Sequence, residues 1–158
     1  MPPALHFPRP ELRDHAAAIL ADRQASDPRS VKLGKMTPHA AAIRSASMGA
    51  IVAILTAIID EQTPPDPENR WLDTDGCEGV LWAHLRSDLA NTAKRAAEVA
   101  RRDPSNERAT ARAVALAELA WHFAPGCRDG ITPRIVFAAD IERTFRKGAA
   151  AAMAKKAA

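Results

Sequence analysis

Residues 45–59 read SASMGAIVAILTAII, fifteen consecutive residues without a charge between Arg44 and Asp60. A membrane-spanning helix needs about 20 apolar residues, and a shorter apolar stretch is more often a core helix of a folded domain. Three polar residues, two serines and a threonine, lower the hydrophobicity of this stretch further. We therefore predict a helix that is buried by protein, and no membrane association.

Two arrangements would cover a helix that is apolar on all sides. Gly49, Ala53 and Ala57 are four residues apart, so they lie on one side of the helix and permit close backbone approach. In the simpler arrangement the other helices of the same chain surround this one. In the second arrangement the helix also contacts its copy in a homodimer.

The composition favours an all-α fold, because alanine is very abundant and aromatic residues make up only 4% of the chain. Helical spacing of apolar residues recurs on both sides of the central stretch. We predict a single helical domain, 1–158, that forms a bundle of four long helices plus a short N-terminal helix. The apolar helix 38–62 is expected to be central, with residues 1–9 and 149–158 as flexible tails.

Proline and capping residues predict where these helices begin and end. The first helix is expected at 10–25, with Asp27-Pro28 ending it, and Thr37 is expected to cap the second. Ser105 or Asn106 would cap the fourth helix, and Thr132 the last. The expected buried face of the last helix consists of Phe137, Ile141 and Phe145.

Two cysteines are too few for a disulfide scaffold, and the first residues do not have the pattern of a secretion signal. Arginine outnumbers lysine 16 to 6, which together with the alanine content is typical of GC-rich bacterial genomes and their phages. We therefore expect a cytoplasmic protein of bacterial or phage type.

The sequence contains no glycine-rich nucleotide-binding motif and no glycine-flanked serine typical of hydrolases. We predict no catalytic residue and no cofactor. The hypothesis that remains is a small non-enzymatic protein that binds another protein, or itself as a homodimer. Trp71, Asp73 and Asp75 are the expected contact, because they combine a tryptophan with the most acidic stretch of the chain.

Nucleic-acid binding is the first alternative. The chain has a formal charge of +3, and residues 101–158 carry an excess of five bases. Bases in the last helix would grip phosphates of DNA or RNA: Arg134, Arg143, Arg146 and Lys147.

Zinc binding is the second alternative. Cysteine and histidine side chains are the usual ligands of Zn²⁺, and antiparallel packing of the third and fourth helices would bring four of them together. These residues are Cys77, His84, His122 and Cys127. Their spacing lacks the tight pairs that make a zinc motif specific.

Overall fold

The computed structural model describes residues 5–61, 79–126, 128 and 130–158. Within these residues the protein is all-α, as predicted, and an isolated β-bridge joins Pro125 to Pro133. The five helices are α1 (Arg9–Lys32), α2 (Pro38–Ile59), α3 (Trp82–Arg102), α4 (Glu107–His122) and α5 (Arg134–Ala157).

The first four helices form the bundle. Short connections join α1 to α2 and α3 to α4, which makes each pair a helical hairpin. The two hairpins pack together because α2 contacts α3 and α1 contacts α4. The fifth helix packs less closely: its backbone comes near that of α4, and ion pairs join it to Arg9 on α1 and to Glu61 after α2.

The first helix is longer than expected, because it continues through Pro28 to Lys32. Proline removes one backbone hydrogen bond, but residues after it can still complete a helical turn. The residue that stops the helix is instead Gly34, which comes just after the C-cap Leu33 and has a φ of +69°. The Gly34 amide donates to the Val31 carbonyl and the Lys35 amide to the Ser30 carbonyl, the two hydrogen bonds of a Schellman motif.

The second helix provides the largest part of the core, with seven buried residues between Ser47 and Ile58. The predicted cap is confirmed, since the Thr37 hydroxyl accepts a hydrogen bond from the Ala40 amide. Among the described residues α2 is the one helix that is long and apolar enough to cross a membrane, yet one side of it packs on α1 and α3. Its opposite side, around Gly49 and Ala53, is only half-buried.

A buried arginine joins three of the helices. The side chain of Arg23 on α1 is 4% exposed and forms an ion pair of 2.8 Å with Asp88 on α3. The same guanidinium donates to the Arg44 carbonyl on α2 at 2.6 Å and to the Thr92 hydroxyl on α3 at 2.7 Å. Because a buried cation needs several acceptors, this network fixes the relative positions of the three helices.

Two expectations for the last helix are wrong. It begins after Pro133 with no side-chain cap, although we expected Thr132 to cap it. The buried residues are Ile135, Val136 and Ala139, whereas Ile141 is 59% and Phe145 80% exposed. Both sets of residues have helical spacing, and the contacts of the loop before α5 decide which of them faces the bundle.

We expect Arg23→Met to lower the free energy of unfolding by about 3–5 kcal/mol, because it leaves the Asp88 carboxylate buried without its cation. Urea denaturation of the purified variant measures the loss. Adding Asp88→Leu removes the orphaned charge and should recover part of the stability.

The matched control is Arg13→Met on the same helix, where the guanidinium is paired with the exposed carboxylate of Asp14. This surface substitution should change the free energy of unfolding by less than about 0.5 kcal/mol. Equal losses for Arg13→Met and Arg23→Met would contradict the role assigned to the network.

Candidate interaction site

The first turn of α5 is fixed to the end of α4. The Arg134 guanidinium lies over the ring of Trp121, 5.0 Å from its centroid, and donates to the Trp121 carbonyl at 3.1 Å. The Arg134 amide donates to the Ala124 carbonyl, and the Gly126 amide donates to the Thr132 carbonyl. These contacts set the rotation of α5 about its own axis, and thereby which residues it turns to the bundle.

Two ion pairs tie the middle of α5 to the bundle. Arg9 on α1 donates to both carboxylate oxygens of Glu142 at 2.7 Å, and this hydrogen bonding lowers the pKa of Glu142. One turn further, Arg146 lies 3.1 Å from Glu61, which follows the end of α2. Both pairs are partly exposed, so they contribute little stability and serve mainly to orient the helix.

Residues 144–158 are exposed around the whole circumference of α5. At 1.5 Å per residue, the helical part of this stretch is about 20 Å long. The part of α5 that follows the ion pair of Arg146 therefore extends away from the four-helix bundle. These residues are helical as far as Ala157. The flexibility of residues 149–158 stays a prediction.

An apolar surface runs along this projecting part of α5, which we call the α5 face. It consists of Ile141, Thr144, Phe145, Gly148 and Ala149, which follow one another at helical spacing. With Arg128 and Asp140 at its edge, these residues line a wide, shallow concavity. The two large apolar side chains stand at one end of the α5 face and the small residues at the other.

The α5 face was missed by the sequence reasoning, which placed Ile141 and Phe145 in the core. A signal for it was present in the sequence: the next positions on the same stripe, Gly148, Ala149 and Ala152, are too small to fill a core. A stripe that changes from large to small residues along one helix is a poor core stripe. It is better suited to contact a surface on which small residues face its large side chains and large residues face its small ones.

The four bases assigned to nucleic-acid binding do not form one cluster. Arg134 lies against Trp121 at the start of α5, about 13 Å along the helix from Arg143. Arg143, Arg146 and Lys147 lie together near Glu61 and line a shallow surface depression there. Nucleic-acid binding by these residues stays a prediction.

The expected partner contact at Trp71, Asp73 and Asp75 lies outside the described residues. Of the zinc set, Cys77 and Cys127 also lie outside them, whereas His84 is exposed on α3 and His122 is half-buried at the end of α4. The described residues contain no group of three side chains of the metal-ligating types close enough to share an ion. The zinc prediction depends on the two cysteines and stays a prediction.

A buried carboxylate near His122 holds the N-terminal segment on the bundle. Glu118 on α4 is fully buried, and it accepts hydrogen bonds from the backbone amides of His6 at 2.6 Å and Phe7 at 3.2 Å. His6 Nδ1 lies 3.1 Å from the same carboxylate. Burial lowers the pKa of His122, and the negative charge of Glu118 opposes this shift.

A second surface lies between the C-terminal half of α3 and the N-terminal half of α4. This groove of about 390 Å³ has an apolar floor that includes Val99 and Leu116, with Arg95, Arg108 and Arg112 around it. Arg112 is paired with Asp22 at 2.6 Å, which leaves the other two guanidinium groups to face the groove. Its chemistry suits a ligand with an apolar part and a negative charge.

Comparisons of this chain with protein-family models, with curated proteins and with solved structures gave no match. The function is therefore inferred from the chain's own residues and geometry.

We expect protonation of His122 to destabilise the fold. Its pKa in the folded protein lies below the ordinary value of 6.5, so the folded state binds this proton less readily than the unfolded state. The contribution of His122 to stability is complete above pH 6.5 and is lost as the pH falls below that value. Urea denaturation of the wild type and of His122→Gln on both sides of pH 6.5 measures the effect.

The slope of stability against pH should be smaller in His122→Gln, because glutamine does not titrate. His84→Gln is the control, since it removes an imidazole from an exposed position on α3. An unchanged slope in His122→Gln would contradict the assignment.

Proposed function

We propose that the protein is non-enzymatic and acts by binding another protein chain through the α5 face. The observation that carries this proposal is the exposure of Phe145, 80% of which is open to solvent on a helix that extends from the bundle. Burying a side chain of this size in an interface contributes about 1.5–3 kcal/mol. Apolar anchors of this kind dominate the energetics of many protein interfaces.

The length of the projecting helix also supports a partner. An isolated helix shorter than about 12–15 residues is marginal in water, even when it is rich in alanine. The exposed part of α5, 144–157, is close to this limit, and among the described residues no ion pair beyond Arg146 ties it to the bundle. A second chain against the α5 face would stabilise the helix by packing.

The acidic contact expected at Trp71, Asp73 and Asp75 remains part of this proposal, as a second site of protein binding. We also propose a cytoplasmic location. It is supported by the small number of cysteines and by the packing of α2, whose most apolar side lies against α1 and α3. In a membrane this side would have to separate from both helices.

Photocrosslinking tests the proposed contact. With Phe145→p-benzoylphenylalanine in the full-length chain, irradiation of producing cells should give one discrete covalent adduct. The substitution keeps an aromatic group at a position where nothing in the bundle restricts its size. Gel mobility and mass spectrometry give the mass of the adduct and hence of the bound chain.

The control is Leu33→p-benzoylphenylalanine, which places the same group at an exposed apolar position between α1 and α2. This variant should give no discrete adduct. Failure of the position-145 variant to form an adduct, or equal adducts from both positions, would contradict binding through the α5 face.

Nucleic-acid binding is the second candidate, because residues 143–158 carry five bases and no acid. Three of these bases lie within one and a half turns of α5. Since Arg146 is paired with Glu61, Arg143 and Lys147 are the better candidates for phosphate contacts.

If this alternative holds, duplex DNA should bind with a steep salt dependence. Arg143→Ala plus Lys147→Ala should reduce the slope of log K against log salt by about 2. Fluorescence anisotropy with a labelled duplex measures both quantities, and Arg13→Ala plus Arg29→Ala on α1 is the control. Absence of binding at low salt would exclude this candidate.

A further inference from the structure

We infer that the α5 face binds the α5 face of a second copy of this chain, with the two helices antiparallel and closest near residues 147–148. The inference rests on the proposed function and names the partner. The distribution of side-chain size and charge along α5 is asymmetric, and this asymmetry suits one arrangement of two copies.

Size complementarity is the first argument. Ile141 and Phe145 are large and exposed, and the next positions of the same stripe are Gly148, Ala149 and Ala152. When two copies of α5 run antiparallel about residues 147–148, each Phe145 lies level with the small residues of the other helix. The ring then fills the space that these residues leave, and the backbones approach closely.

Charge complementarity is the second argument. Asp140 lies at the edge of the α5 face, whereas Lys155 and Lys156 lie near the end of the helix. In the antiparallel arrangement Asp140 of one copy lies level with Lys155 of the other. Two-fold symmetry repeats this pairing at the other end of the contact.

The parallel arrangement lacks both features. It would place Phe145 against Phe145 and Gly148 against Gly148, which crowds one level and leaves a void at the next. It would also place Lys155 and Lys156 of the two copies side by side without an acid. The asymmetry of α5 therefore favours the antiparallel pair.

The half-buried side of α2 is the other surface on which two copies could meet. Its residues Gly49 and Ala53 are small, and a Cβ added at Gly49 would meet no atom within 4 Å. Residues 45–59 contain no charged residue, so this side of α2 has no ion pair to form with a second copy. The α5 face is favoured because it has both the large apolar side chains and the paired charges.

Light scattering during size-exclusion chromatography tests the inference. The wild type should approach twice its monomer mass of 17.0 kDa as the concentration rises, and Phe145→Glu should remain at 17.0 kDa. Leu33→Glu should behave as the wild type, because this residue lies far from α5 in the chain and outside the α5 face. Circular dichroism checks that each variant keeps the helical fold.

Gly49→Glu distinguishes the two surfaces, since it places a charge on the half-buried side of α2, where an added Cβ meets no atom within 4 Å. It should leave the dimer intact. A dimer that persists in Phe145→Glu but dissociates in Gly49→Glu overturns the assignment to α5. A wild type that stays at 17.0 kDa at every concentration overturns the dimer itself.

Disulfide trapping tests the direction of the helices. In a chain with Cys77→Ser and Cys127→Ser, Gly148→Cys should form a covalent dimer under mild oxidation, whereas Ala152→Cys should not. In an antiparallel pair, position 148 of one helix lies near position 148 of the other. The two positions 152 are about 12–15 Å apart along the helix axis, which is too far for a disulfide. Efficient trapping at both positions would indicate a parallel pair and overturn the register.

Charge reversal gives an independent test. Asp140→Lys should weaken the dimer severalfold, and so should Lys155→Asp, whereas the variant with both changes should recover the wild-type affinity. Failure of the combined variant to recover would overturn the Asp140–Lys155 pairing.

The outcomes separate this inference from the proposed function. If the chain is monomeric but the photoreactive group at position 145 captures a different protein, the inference fails and the proposed function stands. If position 145 captures nothing and the chain is monomeric, both fail. An adduct of twice the chain mass supports both.

Discussion

The buried guanidinium of Arg23 is the contact on which the bundle depends. Three acceptors on two other helices offset the free energy lost by burying this cation: the Arg44 carbonyl, the Asp88 carboxylate and the Thr92 hydroxyl. Apolar packing between alanine-rich helices permits small shifts in register, whereas a buried cation tolerates few. This network therefore gives α1, α2 and α3 a defined arrangement, and α4 closes the bundle against them.

The fifth helix follows a different principle. Its first turns are held by Arg134, by the buried Ile135 and Val136, and by the ion pair between Arg9 and Glu142. These contacts use the side of α5 with smaller apolar residues and leave Ile141 and Phe145 in solvent. An apolar surface with an exposed phenylalanine is stabilised when a partner removes it from water, which is why such surfaces often mark interaction sites. The proposals for the α5 face follow from this arrangement.

The role of the acidic and cationic groups differs from what their positions in the sequence indicate. Arg134 lies in the same helix as Arg143 and Lys147, yet it serves to fix α5 on Trp121. Glu118 lies in an apolar stripe of α4, yet its carboxylate accepts hydrogen bonds from the backbone of His6 and Phe7 and holds these residues against the bundle. Such roles depend on which side chain meets which helix, and spacing within one helix does not reveal them.

The sequence by itself determined the fold class, because alanine content, helical periodicity and the caps Thr37 and Asn106 are local properties. It also identified 45–59 as the main core segment, since no charged residue interrupts this stretch. The end of α1 was within reach of the sequence as well, because Gly34 is a stronger stop signal than Pro28. Only the tertiary structure decided which stripe of α5 faces the bundle, because two stripes of that helix have helical spacing. The hydrogen bonds of Gly126 and Arg134 in the loop before α5 and the ion pair of Glu142 with Arg9 on α1 made that choice, and the spacing of residues within α5 does not reveal these contacts.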